Sequence, residues 1–164
     1  MTGMCEAQSL CFELAKGFPA AAVALIVALG TGAIAWSQYR VARAKLNLDL
    51  FEKRYELFTM VWAFVSNVAA HGAPALISPE KTALVNSIPK IEFLFGSAIA
   101  NYVQDISSKA GTLWMIDQHK QVKIDVVPEE KIDEHLQLLE WFTNEAMQGV
   151  RERFGVYLNF EAWR

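Results

Sequence analysis

The sequence predicts an all-α protein: an N-terminal transmembrane helix continuing into a small antiparallel bundle of about four helices. Three observations predict it. From Gly17 to Tyr39 no residue is charged, and Lys16 and Arg40 bracket the run. Directly after it, Val41, Ala44, Leu48, Phe51, Tyr55, Phe58, Trp62, Val65 and Ala69 recur at steps of three and four, the period of one helix face. Helix-start signals then recur at Ser78-Pro79-Glu80 and Pro128-Glu129-Glu130.

Composition narrows the function classes. The 164 residues suit one domain with a short anchor. At 53% hydrophobic and 20% charged, the chain is too apolar for disorder. The apolar excess is local, concentrated between Phe18 and Trp36. A net charge of −3 argues against a nucleic-acid partner, which calls for a basic face. The two cysteines, Cys5 and Cys11, match no common zinc spacing and have no neighbouring His. They read as two tail thiols, with a disulfide open to them if the tail lies outside the cytoplasm.

Three segments follow: a short N-terminal tail (1–17), a transmembrane helix (18–39) and a cytoplasmic helical bundle (40–164). A helix from Phe18 to Ser37 would be about 30 Å long, the thickness of a bilayer's hydrocarbon core. Pro19 suits its first turn, and Trp36 and Tyr39 fall where interfacial aromatics belong. Val23, Leu25, Ile26, Val27, Leu29 and Ile34 together favour insertion by about −2 to −4 kcal/mol, against Gly30, Thr31, Gly32 and Pro19. Insertion is favourable but thin.

Two rival readings exist, a cleaved signal peptide and a buried helix of a soluble protein. Ala33 to Ala35 does resemble a small-x-small cleavage site, but Glu6 and Glu13 precede the run where a signal peptide wants a basic start. Arg40, Arg43 and Lys45 instead follow it and, by the positive-inside bias, hold that end in the cytoplasm with the N-terminus outside. As three charges they fall short of a lipid-reading cluster and serve as topology determinants. Ala20, Ala24, Ala28 and Gly32 recur every fourth residue, a stripe that lets two transmembrane helices approach closely, although alanine is abundant enough here for chance to produce it.

No Pro or Gly intervenes between Leu46 and Ala70, so one long helix is expected to leave the anchor. Its seam is aromatic (Phe51, Tyr55, Phe58, Trp62), where a two-stranded coiled coil prefers aliphatic residues. A second stripe of Leu57, Val61, Phe64 and Val68 widens the apolar face to one that meets several neighbours in a bundle. Arg54 sits among apolar residues, to snorkel or to pair with a carboxylate.

His71 to Ser78 reads as a loop, and a second helix from Pro79 as short or bent at Pro89. Phe93 to Ser97 reads as a corner where Gly96 relieves the backbone and Ser97 caps the third helix. That helix presents Ile99, Tyr102 or Val103, Ile106, Ala110, Leu113 and Ile116. Lys120 to Val127 is a frayed end or a short unpartnered strand. The fourth helix buries Ile132, Leu136, Leu139, Phe142, Ala146, Val150 and Phe154, and Gly155 stops it before a closing aromatic cluster that docks on the bundle. The expected bundle core comprises Leu48, Phe51, Tyr55, Phe58, Trp62, Phe95, Tyr102, Leu139, Phe142 and Phe154.

No catalytic constellation emerges. His71 lies in a loop and His119 near a helix end; His135, beside Asp133 and Glu134, is a weak acid–base candidate better read as a helix-surface residue. There is no HExxH, phosphate loop or nucleophile elbow, and the acids from Asp125 to Glu134 lack calcium-loop spacing. Tyr55, Trp62, Trp114 and Trp141 could line an apolar pocket, but stripes at helical spacing are more often core. No cofactor and no metal are expected.

Three short motifs carry a resemblance: Leu48-Asp49-Leu50-Phe51-Glu52-Lys53-Arg54, the corner Phe93-Leu94-Phe95-Gly96, and Phe154-Gly155-Val156-Tyr157-Leu158. With the apolar run, they resemble a family of small bacterial single-span membrane proteins with a helical cytoplasmic domain. Ser97 stands where that pattern more often has an acid or proline. The resemblance implies a bacterial inner-membrane protein and carries no activity or functional residues. The expected role is a protein-interaction or structural module whose partners are the lipid bilayer and another protein or a second copy. The alternative is a sensor or effector subunit whose bundle binds a small apolar ligand.

Overall fold

The computed structural model describes residues 10–122, 127 and 129–159, with side chains described at 21–119, 127 and 129–159. Expectations for Cys5, for 123–126 and for 160–164 lie outside the described residues, as do those turning on the side chains of Cys11 and Ala20. The protein is all-α, with no strand among the described residues. Its helices are α1 (Leu10–His71), α2 (Pro79–Phe95), α3 (Ser97–Val122), α4 (Ile132–Asn144) and α5 (Val150–Leu158). A 3₁₀ turn, Glu129–Lys131, precedes α4, and a π-helical segment, Glu145–Gly149, joins α4 to α5. The chain divides into two units, Met1–Leu48 and Asp49–Arg164.

The first unit is helical from Leu10. Its large apolar side chains are exposed, from Val23 at 61% to Val41 at 66%. α1 is the one described helix long and apolar enough to cross a membrane, with mean hydropathy 1.6 in its most apolar window. Thr31 Oγ1 donates within the helix, to Val27 O at 2.8 Å and Ala28 O at 3.0 Å, so its hydroxyl needs no outside partner.

The second unit is a helical bundle around one apolar core. The core face of α1 differs from the expected seam. The aliphatic stripe is inside, with Val61, Val65 and Val68 fully buried and Leu57 and Phe64 nearly so. The aromatic stripe flanks it: Tyr55 and Trp62 are about half exposed, Phe51 and Phe58 half-buried. Leu48, in the first unit, is exposed as well. The cause is chemical. Tyr and Trp carry polar tips that need water or a partner, whereas valine buries without that requirement. Phe95, Phe142 and Phe154 are buried, and Tyr102 and Leu139 half-buried.

Local signals account for α2 and α3. Ser78 Oγ accepts from the Lys81 N–H at 3.2 Å, with Pro79 at the helix start and Glu80 in the first turn. Pro89 lies inside α2 and does not end it. It sits on the exposed side, and the turn it weakens includes the 44%-exposed Val85, whose carbonyl loses its helical donor on a face open to solvent. Gly96 adopts φ 89° and ψ 171°, a region essentially reserved for glycine. Its N–H closes α2 on Glu92 O at 2.8 Å, and its carbonyl receives the Ala100 N–H at 3.3 Å. Gly96, not Ser97, thus holds the N-cap position of α3, which begins at Ser97. The inward face of α3 runs through Ile99, Val103, Ile106, Ala110, Leu113 and Ile116, all buried.

From α4 onward the spacing departs from an α-helix. Leu138, Phe142, Ala146, Val150, Phe154 and Leu158 recur every fourth residue, a step that drifts by about 40° per repeat on a helix of 3.6 residues per turn. The π segment takes up part of this excess: the Val150 N–H reaches back five residues to Glu145 O. Phe142, Val150 and Phe154 consequently all reach full burial. Upstream, Ile132 and Leu136 remain exposed at 38% and 58%. Gly155 does not stop the helix, which continues to Leu158.

Candidate functional site

The three motif segments meet at Arg54. Arg54 Nε donates to Leu94 O at 3.0 Å, and Nη1 makes a longer contact of 3.5 Å to Tyr157 O. Leu94 is in the last turn of α2 and Tyr157 in the last turn of α5, where helix carbonyls lack intrahelical donors. One half-buried guanidinium therefore serves two helix C-termini, the ends that attract positive charge. It also lies 5.8 Å from the Phe95 ring centroid. Phe95 in turn meets Phe154 and Tyr157 edge-on, at 5.0 and 5.6 Å between centroids.

Beside this junction runs a cleft of about 520 Å³. Leu50, Lys53, Glu56 and Leu57 of α1 form one wall, and Pro89, Lys90, Phe93 and Leu94 of α2 the other. Phe93 is 89% exposed although Leu94 and the buried Phe95 follow it directly. A second cleft, of about 290 Å³, is lined by Thr112, Met115, Ile116, His119 and Lys131. Neither contains Tyr55, Trp62, Trp114 or Trp141. Trp62 instead donates through Nε1 to Ala146 O in the π segment at 2.9 Å, and Trp141 packs edge-on against Phe142 beneath Lys109 Nζ.

A polar network at the π segment was not visible in the motifs. Glu145 is buried, at 6% exposure. It accepts from Tyr102 Oη at 2.6 Å, and from Arg153 Nη1 at 2.9 and 3.0 Å through its two oxygens. The Arg153 guanidinium lies 4.2 Å from the Tyr102 ring centroid. Burial, reinforced by the Glu145 carboxylate, pushes the Tyr102 phenol well above its ordinary range. Burial opposes the Arg153 charge, but Glu145 and Tyr102 outweigh it and raise its pKa. Every strong donor here points at one carboxylate, an arrangement that holds three elements together and leaves no free base. The signal in the sequence was the every-fourth-residue spacing, which demands a helix irregularity where Glu145 sits.

Because the phenol's folded pKa lies above its unfolded value, the Tyr102 contribution is complete below about pH 10 and is lost as the pH rises further. The tyrosinate absorbance difference between the protein and its Tyr102→Phe variant is therefore expected to develop only as the fold melts in alkali. A Tyr102 signal titrating near pH 10 in the folded protein would contradict the hydrogen bond to Glu145.

His135 is half-buried rather than a surface residue: its Nε2 lies 3.0 Å from Asp117 Oδ1, joining α4 to α3. Lys81, on α2, is 8% exposed, with its Nζ against Gly111 of α3. Burial lowers the amine's pKa. A cation depressed in this way disfavours folding at neutral pH, and stability recovers as the pH rises through its folded pKa toward 10.5. Lys81→Met is expected to raise the melting temperature at pH 7 and to shrink that gain at alkaline pH. A lowered melting temperature would show that the amine has a stabilising partner.

The expected topology determinants Arg40, Arg43 and Lys45 are exposed, as are Ala24 and Ala28, and a Cβ at Gly32 would meet nothing within 4 Å. These lie in the first unit. No group of three or more His, Cys, Asp or Glu side chains placed to hold a metal ion occurs among the described residues. Compared with family models, curated proteins and solved structures, the chain matches none.

Proposed function

We propose that the protein is a single-pass component of a bacterial inner membrane, with its N-terminus outside and its helical bundle in the cytoplasm, acting by protein interaction. The observation that carries this reading is the first unit's surface. From Val23 to Val41 its large apolar side chains are all at least 59% exposed, with no charge before Arg40. Apolar surface on that scale favours an apolar surrounding, and about 30 Å of uncharged helix fits a bilayer. Arg40, Arg43 and Lys45 at its C-terminal end support the orientation, and the resemblance to small bacterial single-span proteins agrees with it. Among its described residues the bundle offers structural networks and a surface cleft, which supports a binding role.

The chain's two cysteines test the topology. A membrane-impermeant maleimide applied to intact, reduced spheroplasts is expected to label Cys5 and Cys11 without lysis; labelling only after lysis would overturn the orientation. Affinity purification of the full-length protein from native membranes tests the interaction, with a stoichiometric protein expected to accompany it. The cleft beside Arg54 supports a second reading, a subunit that senses a small apolar ligand. Saturable thermal stabilisation by such a compound, lost in Phe93→Ala, would favour it.

A further inference from the structure

The cleft between α1 and α2 carries its own complement. Phe93 forms part of its wall and yet projects almost fully into solvent, contributing nothing to the core. Knob and hollow thus lie on one surface, the requirement for an isologous contact in which each copy offers the same patch. The rim has both signs: on α1 Lys53 already pairs with Glu56 at 3.1 Å, and on α2 Lys90 stands beside the exposed Glu92. A rim of one sign would repel its own copy, whereas this one can pair across a two-fold axis.

We propose that a second copy of this chain occupies the cleft, each copy's Phe93 inserting between α1 and α2 of the other. The proposal rests on the membrane-anchor reading. Two buried phenylalanines account for about 300–500 Å², well below the roughly 1,200 Å² of a stable soluble interface. A shared membrane removes that deficit: anchored copies have one orientation and move in two dimensions, which raises their effective concentration toward the millimolar range. Pairing is accordingly a property of the anchored chain.

The test places a photo-crosslinking benzoylphenylalanine at position 93 of the full-length protein in native membranes, with the same group at the 71%-exposed Met147 as control. The expected result is a crosslinked dimer from position 93 and not from 147. Its joined peptide should contain residues 50–57 or 89–94 of a second copy. Phe93→Glu is expected to abolish co-purification of two differently tagged copies with the melting temperature unchanged, because the side chain is outside the core. Crosslinking at 93 only to lipid, to a different protein or to nothing would overturn the second-copy proposal. A different protein captured there would still leave the interaction reading standing. Recovery of the chain in the soluble fraction after alkaline carbonate extraction would instead sink the anchor reading beneath it.

Discussion

Arg54→Met is expected to lower the unfolding free energy of the bundle by about 2–3 kcal/mol, because it removes charge-assisted hydrogen bonds to carbonyls at two helix ends. Methionine retains much of the apolar stem, so the loss reports the guanidinium. Two negative helix termini, of α2 at Leu94 and α5 at Tyr157, would be left with one donor fewer each. Arg54→Lys should recover only a fraction, since one ammonium on a flexible stem cannot match a planar fork aimed at two separate carbonyls. Denaturant unfolding of the full-length protein in micelles, followed by tryptophan fluorescence, measures both. A variant with wild-type midpoint would mean that water or other groups cap these ends equally well.

That junction also shows what was legible in the sequence. The three segments meeting there were recognisable as short motifs, but nothing in their spacing said that they touch. A contact between Arg54 and Tyr157 depends on the register of α4 and α5, which the π segment sets. Signals acting within one turn were readable: Ser78-Pro79-Glu80 starts α2, and Gly96 makes the corner. Signals whose force depends on surroundings were not. Pro89 and Gly155 look like helix stops in isolation, but an exposed face tolerates the first and the packed helix around Phe154 carries the second. On α1, periodicity identified a wide apolar face without saying which half turns inward. The valines of the other half bury completely, while Tyr55 stays half exposed and Trp62 turns its N–H to Ala146 O at the bundle's edge. For Arg54 the sequence offers snorkelling or pairing with a carboxylate; capping two helix ends is a further use, legible only once α2 and α5 have ends to cap.

The buried carboxylate gives the other large effect. Glu145→Ala is expected to cost about 3 kcal/mol, the lower range for breaking a buried ion pair, since Arg153 is 47% exposed and can return its charge to water. Gly149→Ala should cost as much by a different route. The Glu145 carboxylate folds back over Gly149, and a Cβ there would occupy the position of its oxygens. The carboxylate must then leave Tyr102 and Arg153 or the π turn must shift. Both single variants damage the same network, so their costs cannot add. In Glu145→Ala/Gly149→Ala the added methyl meets no carboxylate, and the second substitution should be nearly free; alanine's higher helix propensity even offsets up to about 1 kcal/mol. The double-mutant cycle is therefore expected to show a coupling of about 3–4 kcal/mol, at or just above the top of the range for residues in contact. Additive costs would mean that Gly149 is required by the backbone of the π segment itself, and that the carboxylate merely fills space the bulge leaves open.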